Sequence, residues 1–224
     1  MRLDDFDYSD VLYALNELRQ DFIYEKIPKE KIPSILEMSL EVGQKNGMKY
    51  RHTDIKEAIK NANINVLFSD KSGTFFKTRY RAQMELSDKK RQIIIYRPSI
   101  KEFLDLVHKQ QINVLSENEI IRIHLAHEFF HFIEVDTDQK VNELVGNIKY
   151  REGLFSHHST ILKTSEIGAH MFAKTALGLS TFPTYYDFQY LIGKGMMTNQ
   201  SFDEYLHDLD DELKHIMNIQ HVLN

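Results

Sequence analysis

The chain has no cysteine and no tryptophan, and only four prolines and nine glycines among its 224 residues. Without cysteine there is no disulfide framework, thiolate zinc site, iron–sulfur cluster or cysteine nucleophile. The low proline and glycine content speaks against a disordered or fibrous chain. No run approaches the ~20 consecutive apolar residues of a membrane span. The opening residues, Met1-Arg-Leu-Asp-Asp-Phe-Asp7, are acidic and lack the apolar stretch of a signal peptide. Positive charge is not in surplus either. Lysine and arginine number 28 against 33 acidic residues, a net charge of −5, which argues against a direct nucleic-acid partner. The expectation is a soluble, cytoplasmic globular protein whose single domain is long enough to bury a real core. Its oligomeric state is not legible. What stands out is histidine, present eleven times.

The first sixty residues read as helical. Val11, Leu12, Leu15, Leu18 and Phe22 recur at helical spacing behind a cap at Ser9 or Asp10. A second helix starts near Pro33, carries Ile35, Leu36, Met38 and Leu40, and is expected to stop at Gly43 or at Asn46-Gly47. Thr53 would cap a third, with Ile55, Ala58, Ile59 and Ala62 inward. The period then changes. Ile64 to Phe68 reads as a strand, and residues 76–86 alternate apolar and charged positions like a half-buried strand. After a turn at 87–90, Ile93 to Tyr96 reads as its more central antiparallel partner, stopped at Arg97-Pro98. Helices follow at Ile100–His108, at Glu117–Glu134 behind a Ser116/Glu119 capping box, and at Thr164–Leu177 ending near Gly178. A last one opens with Ser201-x-x-Glu204. Residues 135–163 and 179–200 are left as long connections. The chain therefore divides into a helical part at 1–60, a core at 61–178 and a helical extension at 179–224.

The chemistry lies in His127-Glu128-Phe129-Phe130-His131, an H-E-x-x-H pattern on an expected helix. Residues four apart share one helical face, so two imidazoles can converge on one Zn²⁺ at ~2.0–2.1 Å. Glu128 projects beside that position, where it can take a proton from an attacking water. A catalytic zinc site needs a third protein ligand. The continuous pattern H-E-x-x-H-x-x-G-x-x-H fails, because Glu134 and Thr137 occupy its last two positions. The best candidate is Glu166, since Glu166, Ala169, His170 and Ala173 form one stripe whose small members admit a close helix. Glu134, Asp136 and Asp138 are its rivals. His124, one turn before His127, and His170, one turn after Glu166, are candidates to orient a ligand or steady an oxyanion. Tyr150, His157 and His158 are further oxyanion candidates. Phe129, Phe130 and Phe132 read as core. Lys77, Arg79, Arg81, Lys89, Lys90 and Arg91 form a basic stripe, expected to be a solvated edge or, if an extended peptide pairs there, a preference for acidic flanks.

Leu125-Ala-His-Glu-x-x-His131 followed by Glu166-x-x-Ala169-x-x-Phe172-Ala173 resembles the ImmA/IrrE-type metallopeptidases, a zincin family. The close match covers about twenty positions, and a looser one in element order runs over about 55–178. The family usually has Leu-Gly at Phe129-Phe130 and Leu-Leu-Met-Pro where this chain runs Leu177 to Pro183. The resemblance implies an α+β, zincin-like fold, with a small twisted sheet packed on the H-E-x-x-H helix and on a second, ligand-bearing helix. It also implies a zinc-dependent endopeptidase with ligands His127, His131 and Glu166 and catalytic base Glu128. Its substrate would be a protein or peptide such as a helix-turn-helix repressor. The competing expectation is a regulatory protein-binding module in which zinc is structural or absent.

Overall fold

The computed structural model describes residues 2–75, 78–87, 89–110, 115–152 and 155–223. The chain starts with helices α1 (Tyr8–Arg19), α2 (Ile32–Lys49) and α3 (Ile55–Asn61). Strands β1 (Asn65–Ser69), β2 (Gly73–Phe75), β3 (Thr78–Tyr80), β4 (Ala82–Ser87) and β5 (Lys90–Tyr96) follow. Next come α4 (Arg97–His108), α5 (Glu117–Asp136) and α6 (Val141–Val145), then a hairpin of β6 (Ile148–Glu152) and β7 (Phe155–Ser159). Helices α7 (Lys163–Leu177), α8 (Thr184–Gly193) and α9 (Asn199–Leu223) complete it, an α+β architecture.

The main sheet has the order β1-β5-β4. β5 is central, parallel to β1 and antiparallel to β4, and its Ile93 and Ile95 are fully buried. The Tyr96 amide donates to the Arg81 carbonyl, so residues 81, 83 and 85 turn their backbone groups toward β5. Ala82, Met84 and Leu86 therefore turn theirs outward, along a free edge among the described residues. The expected 76–86 strand is not continuous. β3 pairs with β2, and the chain bends at Arg81, whose guanidinium pairs with Asp187 on α8 and lies 4.1 Å from the centre of the Phe103 ring. Phe76 and Lys77 lie outside the described residues.

Two apolar cores meet on α7. One face, with Ile167 and Met171, packs into a core drawn from α1, α2, α8 and α9. The other, with Ala169, Phe172, Ala173 and Ala176, packs against α5, α3, α4 and the sheet. α5 is buried nearly all round (Ile120, Ile123, Leu125, Ala126, Phe129, Phe130, Ile133), as a helix caught between layers must be. The helical segments at the two ends of the chain share one core, and charge ties the N-terminal one to α7. Buried Lys174 donates to Asp10 at 2.6 and 2.8 Å, and to Asp7 at 2.9 Å.

Several boundaries differ from expectation for identifiable reasons. α2 does not stop at Gly43 or Gly47 but runs through both. A Cβ on Gly43 would stand 2.3 Å from the Gly168 carbonyl oxygen, and one on Gly47 would stand 2.7 Å from Thr175 Cβ. These glycines exist for close helix contact, not for a turn. α1 starts behind Asp7, and Phe22 lies beyond its end, 74 % exposed. Asp54, not Thr53, caps α3, accepting from the Lys56 amide at 2.7 Å. α9 starts at Asn199, with Thr198 and Ser201 exchanging the capping hydrogen bonds; Glu204 takes no part in them and instead accepts from Gln200. The capping box on α5 is present as read.

Candidate metal centre

α5 and α7 bring the expected side chains together where the two cores meet. The close approach of the helices depends on small residues. Phe130 stands where the resembled family carries glycine, and its Cζ would be 2.9 Å from a Cβ on Gly168. α7 thus makes room for the larger ring by having no side chain opposite it. Asp21, 5 % exposed at the end of the α1 region, accepts from the Lys163 amide at 2.9 Å and so caps the helix that carries Glu166.

The Nε2 atoms of His127 and His131 lie 3.2 Å apart. Glu166 spans the pair, with Oε2 3.3 Å from His127 Nε2 and Oε1 3.6 Å from His131 Nε2. A tetrahedral ion with bonds of ~2.0–2.1 Å holds its donors ~3.3–3.4 Å apart, so the donor set fits a zinc-sized cation. Charge fits too. Burial alone would depress the His127 pKa, but the hydrogen bond and charge of Glu166, joined by Glu128 and Glu17, hold it up at about 9. Burial would likewise raise the Glu166 carboxyl, yet His127, His131 and His170 hold it well below the carboxylate range.

Glu134 is not a ligand but faces the other side of His131. It is 5 % exposed and accepts from His131 Nδ1 at 3.1 Å, Ser165 Oγ at 2.5 Å and the Val141 amide at 2.9 Å. A carboxylate only accepts, so the His131 proton sits on Nδ1 and its Nε2 lone pair faces Glu166 and His127. This orienting role was open to reading from the i,i+3 spacing to His131. We expect Glu134→Gln to keep the fold and to weaken zinc binding about 10–100-fold, because an amide N–H would face Nδ1. A chelator competition titration on both proteins measures this. Asp136 and Asp138 line neither cavity that opens onto the histidines.

Those two cavities meet at His127, Glu128 and Glu166. One, about 690 Å³, runs along the free edge of β4 past Met84, Leu86, Val135 and Leu162. The other, about 370 Å³, is polar, with Arg81, Asp187, Glu17, Lys163, His124 and His170 in its walls. Glu128 accepts from the Met84 amide at 2.8 Å, which places the expected base against an outward-facing group of the edge strand. His124 donates Nδ1–H to the Ile120 carbonyl at 2.8 Å; burial, then the charge of Arg81, lowers its pKa to about 3, so it lines the cavity uncharged. His170 packs its ring on that of His127, centroids 4.8 Å apart. One donor atom from each of His127, Glu166 and His170 lies within 4.8 Å of the others.

Tyr150, His157 and His158 sit on the β6–β7 hairpin and line neither cavity. The basic stripe does not stand free. Arg79 pairs with Glu102 and donates to Ser99, Arg81 pairs with Asp187, and Lys90 pairs with Glu85. Arg91 donates to the Ala62 carbonyl and lies over the Phe132 ring. Comparison of the chain with protein-family models, curated proteins and solved structures finds no match.

Proposed function

We propose that this chain is a zinc-dependent endopeptidase of the ImmA/IrrE type on a zincin-like core, acting on a specific protein such as a helix-turn-helix repressor. The observation that carries the reading is the convergence of two imidazole Nε2 atoms 3.2 Å apart and the Glu166 carboxylate, with Glu128 beside them on a free sheet edge. His127, His131 and Glu166 would hold the ion. Bound zinc supplies Lewis acidity, polarising a carbonyl and lowering the pKa of water from about 15.7 to ~7.

The chain's own residues do the rest. Glu128 accepts the proton of the attacking water and delivers it to the leaving amine nitrogen. Glu134 fixes the tautomer and angle of His131. The outward backbone groups of Ala82, Met84 and Leu86 can pair with an extended peptide, as in strand addition. A peptide that takes the Met84 amide competes for it with Glu128, so docking frees the base. Tyr80, Leu86, Val135 and Leu162, exposed apolar side chains in one cleft, offer contact area for its side chains.

A second reading, a protein-binding module whose zinc is structural, is favoured by one feature: His170 brings a fourth donor close to the set. The two separate in one experiment. Metal analysis of the purified protein should give about one zinc per chain, lost in His127→Ala, and the wild type should cut a library of internally quenched peptides only when zinc-loaded. Zinc bound without cleavage of any member favours the binding module, and a wild type that refuses the ion sinks the enzyme and leaves only a module that does without zinc.

A further inference from the structure

Glu17, on α1, is far in sequence from any motif, yet it is 7 % exposed and lines the polar cavity beside the histidines. Thr184 Oγ1 donates to its Oε1 at 3.1 Å, and Lys163 Nζ stands 3.6 Å from its Oε2. His170 Nε2 lies 3.9 Å from Oε1. The N-terminal helix thus places a buried carboxylate behind one ring nitrogen of His170.

The other nitrogen has no such neighbour. His170 Nδ1 is buried and meets no hydrogen-bond partner among the described residues. A neutral imidazole carries one N–H and one lone pair. Glu17 Oε1 stands toward Nε2, while burial pushes the Glu17 carboxyl up against the pull of Lys163, and Nδ1 is the nitrogen left without a partner. A buried polar atom without a partner is costly. His170 is also spaced from Glu166 on α7 as His131 is from His127 on α5. The two facing helices therefore each present a pair of donors one turn apart. One His170 donor atom lies within 4.8 Å of donors on His127 and Glu166.

We propose that His170 is a fourth, reversible donor to the metal centre and that Glu17 is the residue that positions it. This deepens the zinc reading and rests on it. With His170 engaged, four protein donors close the centre to a peptide. When the ring turns away into the cavity of about 370 Å³, the fourth position opens. The centre then alternates between a closed and an open state, and access to the ion is gated by one side chain rather than by a lid.

Cobalt(II) in place of zinc tests this without reference to cleavage. Cobalt affinity, the visible spectrum and acetohydroxamate binding are compared in wild type, His170→Ala, His170→Phe and Glu17→Gln, with His127→Ala as the control that loses the ion. His170→Phe keeps a ring against His127 and Phe182 (5.6 Å between the His170 and Phe182 centroids), so its fold is protected while the nitrogens are gone. Both His170 variants should bind cobalt about 10–100-fold more weakly, show an altered spectrum, and take acetohydroxamate at least about tenfold more tightly than wild type. Glu17→Gln should move all three in the same direction by less. Equal spectra and equal affinities in wild type and both His170 variants overturn the inference while leaving the zinc reading intact. A wild type that binds no cobalt or zinc overturns both.

Discussion

Glu128→Gln is expected to retain about one zinc per chain while its cleavage of a quenched-peptide library falls by about 10²–10⁴-fold. Glu128 is not among the three converging donors, so metal content has no reason to change. The amide oxygen of glutamine can still accept from the Met84 amide, which keeps the side chain and the edge strand in place. What disappears is the ability to take a proton, because an amide is not a base at neutral pH. The pairing of retained metal with lost turnover is therefore specific to the proton-transfer role. Initial rates and metal content measured on the same preparation decide it. Cleavage within a few-fold of wild type would remove Glu128 from the mechanism.

Gly43→Leu is expected to be strongly destabilising although it lies outside the metal centre. The new Cβ would stand 2.3 Å from the Gly168 carbonyl oxygen and 2.9 Å from Met171 Cβ, so backbone has to move. Overpacking of a tight contact costs about 1–3 kcal/mol, and an obstacle of backbone puts this case at the upper end or above. For a chain of this size about 3 kcal/mol lowers the thermal midpoint by roughly 6–12 °C. The same displacement acts on α7, which carries Glu166, so zinc affinity should fall in parallel although Gly43 touches no ligand. Gly43→Ala should show both effects in smaller measure. Thermal melts followed by circular dichroism, with a chelator titration on each variant, make the check. An unchanged midpoint in Gly43→Leu would mean that the two helices are not in contact in solution.

The convergence of His127, Glu128, His131 and Glu166 was legible because helical periodicity alone places residues four apart on one face, and because Ala169 and Ala173 advertise a close neighbour. The Ser116/Glu119 box was legible for the same local reason. Glycine was misread at positions 43 and 47, where its meaning is set by a helix far along the chain and a turn signal has the same letters. Glu17 and Asp21 gave no local sign, since their partners on α7 and α8 are brought to them only by the fold. The basic stripe is half such a case: Arg79, Lys89, Lys90 and Arg91 are exposed as expected, but the partners Glu102 and Asp187 come from helices further along the chain. The connections at 135–163 and 179–200 contain α6, the β6–β7 hairpin and α8, elements too short or too evenly mixed to show a period.

The seam between α2 and α7 has a consequence for how the molecule is made. Synthesis delivers α2 early, and Gly43 and Gly47 then have no helix to meet until residues 163–177 leave the ribosome. α5 emerges in between, carrying His127, Glu128 and His131 but no third donor. A nascent chain halted anywhere before α7 therefore has His127, Glu128 and His131 but not Glu166, and cannot assemble the cluster. The segment that supplies Glu166 is also the one on which both cores meet, although the first of them still waits for α8 and α9. Assembly of this side-chain cluster thus waits for the same helix on which the two cores meet, and no chain halted before residue 163 brings the four side chains together.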